Sequence, residues 1–265
     1  MAASVRNTMR STMAHLPSRS STPPAPARGP AAPAAVLFDA YGTLFDVHSV
    51  ALAAEQRWPG QGQALSTAWR ERQISYTRLV SMSGRYQPFW DLTRAALRQG
   101  CAQLGLALDD AAEAALMNEY RHLSPFPEAL GVLQALRARG VPTGILSNGD
   151  PAMLEVSVRS AGFQDLLGCV LSAHAVQRYK TDPAVYQLGC DHLRLPARRI
   201  LFVSANGWDA IGATWFGYTT LWVDRQGLPL DPLDTRPTRC GHSLRDVLDA
   251  FPAPAGDAAA RRTAA

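Results

Sequence analysis

Carboxylates at Asp39 and Asp209, an ammonium at Lys180, and the polar groups of Ser147, Asn148, Ser204 and Asn206 are the residues of this 265-residue chain best suited to chemistry. A carboxylate with a cation and hydrogen-bonding neighbours can serve in nucleophilic or acid–base catalysis. Taken singly, each has a plain structural reading: serine and asparagine make turns, and an aspartate beside a helix start caps it. Their placement argues for more, because they follow four separate apolar runs. Lys180 is also the only lysine, against 25 arginines. An ammonium is compact, touches a carboxylate without a planar fork, and shifts its pKa readily. The six histidines have no metal-binding spacing, and there is no G-x-S-x-G elbow, Walker loop or G-x-G-x-x-G fingerprint.

The elements that must position these residues are short. Apolar runs at 35–38, 143–146, 169–172, 200–203 and 219–223 have the length of strands buried on both faces of a parallel sheet. Helical patterns at 127–139, 151–161, 183–193 and 208–216 alternate with the later runs, several opening on proline, with Gly140 and Gly162 closing two. This alternation predicts an α/β fold, a doubly wound Rossmann-like parallel sheet. In such a sheet ligands bind outside the carboxyl ends of the strands, where Asp39, Ser147, Asn148, Lys180, Ser204, Asn206 and Asp209 fall. One interval breaks the pattern: 64–82, 89–104 and 109–122 are helical with no strand between. The expected division is an α/β core at 34–48 and 124–251, a helical cap at 49–123 leaving from the site edge, and disordered tails at 1–33 and 252–265.

Composition bounds the function. The chain is 47% apolar and 18% charged, a globular balance. No apolar stretch reaches the roughly 18 to 20 residues that cross a bilayer, so no membrane partner is expected. The net charge of +4 arises from four arginines in the acid-free first 38 residues, which leave 22 basic residues against 22 acidic ones. A neutral body gives no electrostatic footprint for nucleic acid. The N-terminal segment has no secretory core; its arginine and serine content is similar to a transit peptide, and a plain tail is the simpler reading. Four widely spaced cysteines form no C-x-x-C pair, which points to free thiols in a reducing, cytoplasmic setting.

The run Phe38-Asp39-Ala40-Tyr41-Gly42-Thr43-Leu44, then Ser147-Asn148-Gly149, Lys180, and Phe202-Val203-Ser204-Ala205-Asn206-Gly207-Trp208-Asp209-Ala210 resembles the haloacid dehalogenase superfamily. Over residues 34 to about 250 it looks most like the type II 2-haloacid dehalogenases. Phosphatases of the superfamily carry a second aspartate two positions after the first, and use Mg²⁺. Here that position is Tyr41, a far weaker acid. Gly207-Trp208-Asp209 stands in place of the metal motif, so no cofactor and no metal are expected.

The resemblance implies that Asp39 displaces halide from an (S)-2-haloalkanoic acid, and that water hydrolyses the resulting ester to an (R)-2-hydroxy acid. A carboxylate attacking a carboxylate-bearing carbon meets a repulsion of roughly 5 kcal/mol at about 3.5 Å and an effective dielectric of 20. Lys180 and Arg70, on the first long cap helix, supply the opposing charge, Arg70 receiving the halide. By the same resemblance Thr43, Tyr186, Ser204 and Asn206 orient Asp39, Lys180 and the water, and Asp209 helps activate that water. Ser147 and Asn148 bind the substrate carboxylate with backbone N–H groups around Ala40. Tyr41, Phe89 and Trp208 line the apolar pocket, although core packing explains aromatics there nearly as well. The resemblance also implies a homodimer. Three alternatives stay open: a Mg²⁺-dependent phosphatase on the same fold, a non-catalytic binding protein, and a hydrolase of another 2-substituted small acid.

Overall fold

The computed structural model describes residues 32–252. The tails read from composition fall almost wholly on residues 1–31 and 253–265, outside the described residues. Six parallel strands form one sheet in the order β3-β2-β1-β4-β5-β6: β1 (Ala35–Phe38), β2 (Thr143–Ser147), β3 (Cys169–Ser172), β4 (Ile200–Ser204), β5 (Thr219–Val223) and β6 (Arg239–Gly241). The central strands β1, β2 and β4 are buried at every position. Their continuous apolar runs follow from helices covering both faces. Strand β3 departs from that expectation, since as an edge strand it leaves Val170 40% exposed.

Register aligns the chemistry. Phe38 pairs with Val203 and Ile145, so Asp39 leaves β1 level with the ends of β2 and β4. Ser147 is opposite Ser172, and Ser204 opposite Trp222. The helices α5 (Ala129–Ala138), α6 (Pro151–Ser160), α7 (Pro183–Leu193) and α8 (Gly207–Phe216) return the chain between strands. Pro151 and Pro183 occupy first-turn positions, where the missing N–H costs nothing.

Between β1 and α5 the named elements are all helices: α1 (Val50–Arg57), α2 (Gly62–Ser83), α3 (Phe89–Gln103) and α4 (Asp110–Arg121). Helix α2 ends at Gly84, whose φ of +66° is the left-handed conformation that terminates a helix. The side chain of Asp109 caps α4 by accepting from Ala112 N at 2.7 Å. The four helices pack chiefly on one another. Where the chain leaves and returns, the two linkers bond to each other: Asp46 N to Ser124 O at 2.8 Å and Phe126 N to Leu44 O at 2.9 Å. Helix α1 and strand β6 carry too weak a pattern to be read from sequence, β6 having three residues and no apolar run. Among the described residues no helix is long and apolar enough to cross a membrane, and all four cysteines are free.

Candidate active site

Asp39 sits at the end of β1, 6% exposed. Its two oxygens are treated differently. Oδ2 accepts from Thr43 Oγ1 at 2.9 Å and Asn206 Nδ2 at 2.8 Å, with Ser204 Oγ at 3.5 Å. Among the described residues Oδ1 accepts only from Lys180 Nζ, at 2.9 Å. The carboxylate is thus held by one oxygen and offers the other.

Lys180 is buried and donates equally to Asp209 Oδ2, also at 2.9 Å. Its Nζ lies 4.8 Å from the centre of the Phe202 ring, a cation–π contact supplied by β4. Tyr186, on α7, donates to Asp209 Oδ1 at 2.8 Å and so reaches the site through Asp209. One ammonium between two buried carboxylates leaves a net negative centre. Burial works to lower the Lys180 pKa, but Asp209 and Asp39 outweigh it and hold the value above the ordinary lysine range. Burial pushes Asp209 up to about 6, with Lys180 pulling it back and Asp39 adding to the rise.

Arg70, on α2, reaches the same cluster. Its Nη2 donates to Tyr41 O at 3.0 Å and to Asn206 Oδ1 at 3.2 Å, and Nη1 donates to Gln73 Oε1 at 2.8 Å. Glu71, the next residue, is exposed. Tyr41 is buried, and its hydroxyl has no hydrogen-bond partner among the described residues. Burial, and then Tyr120, raise its pKa far above the usual phenol range, which makes it a poorer acid still. Its ring stacks on Phe89 at 5.6 Å.

In the loop after β2 the side chains of Ser147 and Asn148 bond the backbone. Ser147 Oγ accepts from Gly149 N at 3.0 Å, a turn bond, and Asn148 Oδ1 accepts from Lys180 N at 2.9 Å, fixing the lysine's backbone. Ala40 contributes its backbone: its carbonyl accepts from Thr43, Leu44 and Phe45 N and closes the turn that aims Asp39. Asp39, Tyr41, Phe89, Ser147, Asn148 and Trp208 meet, with Arg70, around a cavity of about 10 Å³, the space of roughly one water. Arg70, Ile74 and Trp208 also line an open groove of about 430 Å³. Arg78 covers the Trp208 ring at 5.3 Å.

The sequence of residues 33–217 matches the family described as haloacid dehalogenase-like hydrolase. The chain belongs to that family. An (S)-2-haloacid dehalogenase of Pseudomonas putida is 42% identical over 81% of this chain and 96% of that protein. A solved L-2-haloacid dehalogenase is 56% identical, with a TM-score of 0.81 over 83% of this chain and 98% of its own. The L-2-haloacid dehalogenase of Xanthobacter autotrophicus, solved with chloropropionic acid covalently bound, is 35% identical, with a TM-score of 0.75 over 81% and 96%.

In this haloacid dehalogenase-like hydrolase the donor set does not fit a magnesium ion. Asp39 and Asp209 both bond the same ammonium, which supplies the positive charge between them. The Tyr41 carbonyl is taken by Arg70 and Asn206. Among the described residues no group of three or more His, Cys, Asp or Glu is placed to hold a metal ion. Sequence reasoning missed Gln73, Ile74 and Thr77 on the cavity wall. Their signal was present as the i, i+3, i+4, i+7 face that begins at Arg70.

Proposed function

We propose that the protein hydrolyses (S)-2-haloalkanoic acids to (R)-2-hydroxyalkanoic acids and halide, through an ester on Asp39. The observation that carries this reading is Asp39 bonded to an ammonium, with a tyrosine in the place where a leaving-group acid would be needed. Oδ1 attacks C2, and the carbon–halogen bond breaks with its electron pair leaving as halide toward Arg70. Lys180 balances the charge of nucleophile and substrate, while Ser147, Asn148 and backbone amides around Ala40 hold the substrate carboxylate. Water, oriented by Ser204 and Asn206 and deprotonated with the help of Asp209, then attacks the ester carbonyl carbon. Oxygen from Asp39 leaves in the hydroxy acid, and water restores the carboxylate. Tyr41, Phe89 and Trp208 wall the side-chain pocket.

In the same reading helices α1 to α4 act as a cap that must part from the core to admit substrate, since the cavity has room for about one water. Exposed Leu52, Leu79 and Met82 on α1 and α2 support a homodimer. A cytoplasmic, metal-free enzyme completes the proposal.

The test is halide release from the separate enantiomers of 2-chloropropionate in EDTA, followed by a single turnover in ¹⁸O-water. The (S) enantiomer should react, and the first product should carry unlabelled oxygen from Asp39. Phosphate release from p-nitrophenyl phosphate without halide release, or label in the first product, overturns the reading.

The pH profile follows from the charged centre. Protonating Asp209 removes the acceptor that helps hold Lys180 and draw the proton from water, so kcat/KM, which reports the free enzyme, should fall as pH drops through about 6. Because the Lys180 value is raised above its ordinary 10.5, the alkaline limb should lie above that pH. Measuring kcat/KM from pH 5 to 11 checks both; a profile that declines between 7 and 9 contradicts the assignment.

A further inference from the structure

Asp150 is the N-cap of α6, yet its carboxylate makes no bond to that helix. An aspartate in this position ordinarily accepts from an N–H of its own first turn. Here Oδ1 accepts from Phe89 N at 3.0 Å and Oδ2 from Trp90 N at 2.7 Å. These are the first two amides of α3, whose own N-cap, Pro88, provides no side-chain acceptor. The residue that follows Ser147-Asn148-Gly149 therefore caps a helix other than its own. Its side chain is only 13% exposed, where such charge-assisted bonds are strongest.

From α3 a continuous set of bonds runs to Arg70. Thr93 Oγ1 donates to Phe89 O at 2.7 Å, and Gln73 Nε2 donates to Thr93 Oγ1 at 2.7 Å. Thr93 has one hydroxyl proton, and it is spent on Phe89 O, so Gln73 must turn its amide nitrogen to Thr93. Its Oε1 then faces Arg70 Nη1 at 2.8 Å, with Tyr120 OH at 3.1 Å. Both Thr93 and Gln73 are fully buried. The same turn of α3 presents the Phe89 ring to Tyr41. Gly149 packs against Tyr41 from the loop side: a Cβ there would stand 2.5 Å from Tyr41 Cε2.

We propose that Asp150 is a positioning residue that latches α3 to the loop after β2. The latch sets the Phe89 wall and, through Thr93 and Gln73, the orientation of the Arg70 guanidinium. It governs how tightly and how selectively a small 2-substituted acid and its departing anion are held, and leaves the displacement at Asp39 largely alone. This rests on the dehalogenase reading above.

Asp150→Ala and Asp150→Asn, made in the full chain, test it with (S)-2-chloropropionate and (S)-2-chlorobutyrate, with bromide as product inhibitor. Uniform binding is lost when a support of this kind goes, so for Asp150→Ala KM and the bromide inhibition constant should each rise about tenfold or more, with kcat down less than about threefold. The preference between the two substrates should shift. Asp150→Asn keeps one acceptor oxygen and should fall between. Amide hydrogen exchange should rise both at residues 89–93 and at 70–73, with β4 unchanged. The latch is overturned by a kcat/KM within about twofold of wild type, by a loss confined to kcat, or by exchange that rises at 89 and 90 alone. A wild-type protein that releases no halide from any 2-haloacid overturns the dehalogenase reading instead, and the exchange measurement still decides the latch.

Discussion

An Asp39→Asn variant is expected to lose at least about 10⁴-fold in kcat for halide release, the scale on which removing a covalent nucleophile acts, while melting no lower than the wild type. The amide is nearly isosteric and keeps an oxygen for Thr43 and Asn206, so the turn after β1 survives, while its NH2 replaces the acceptor beside Lys180 and leaves that ammonium to Asp209. The charge balance improves, because Lys180 is then matched by Asp209 alone. Burial is the first cause of the raised Asp209 value and the Asp39 charge adds to it, so neutralising Asp39 should lower it. Halide release and a thermal melt measured on one preparation separate loss of chemistry from loss of fold. Activity above about one per cent of wild type, with deamidation back to aspartate excluded by mass, would remove Asp39 from the role of nucleophile.

Lys180→Met should cost both activity and stability. It leaves Asp209, with a fully buried side chain, and Asp39, 8% exposed, facing each other without a cation. Breaking a buried pair by removing one partner costs about 3 to 5 kcal/mol. The pH dependence has a definite sign. Without the ammonium the Asp209 pKa rises further above its unfolded value, so the folded chain binds the proton more readily. Stability should recover as pH falls through the raised value and be lowest above it. Lys180→Met/Asp209→Asn should recover most of the stability and none of the activity. Denaturant melts at pH 5 and 8 with halide assays check this; equal loss at both pH values would show that packing, and not charge, is what Lys180 provides.

The helical insertion shows where a one-dimensional reading stops. Its long helices were legible because α2 and α3 repeat apolar residues at helical spacing. Arg70 in that pattern reads equally as a solvated face. What turns it into part of the site is Gln73 on its own helix and Tyr41 and Asn206 from the sheet edge, the last 136 residues away. Asp150 is the sharper case. Standing before Pro151, it has the signature of an aspartate capping its own helix, and its carboxylate instead bonds amides 60 and 61 residues earlier. Ser147 did both things its type allows, ending a strand on the cavity and closing a turn.

Strand ends, the loops that carry Asp39, Ser147, Lys180 and Asp209, and the choice of a tyrosine after the first aspartate are local properties of the chain. Apolar runs of four or five residues with right-handed crossovers leave few ways to build the sheet, and each puts those loops on one edge. Folding in three dimensions chose which carboxylate oxygen is left with Lys180 alone, how far the Asp209 proton is held, and how α3 is tied to the loop beneath it. Those outcomes depend on burial and on hydrogen bonds between segments far apart in the chain, and neither quantity is carried by the identity or spacing of neighbouring residues.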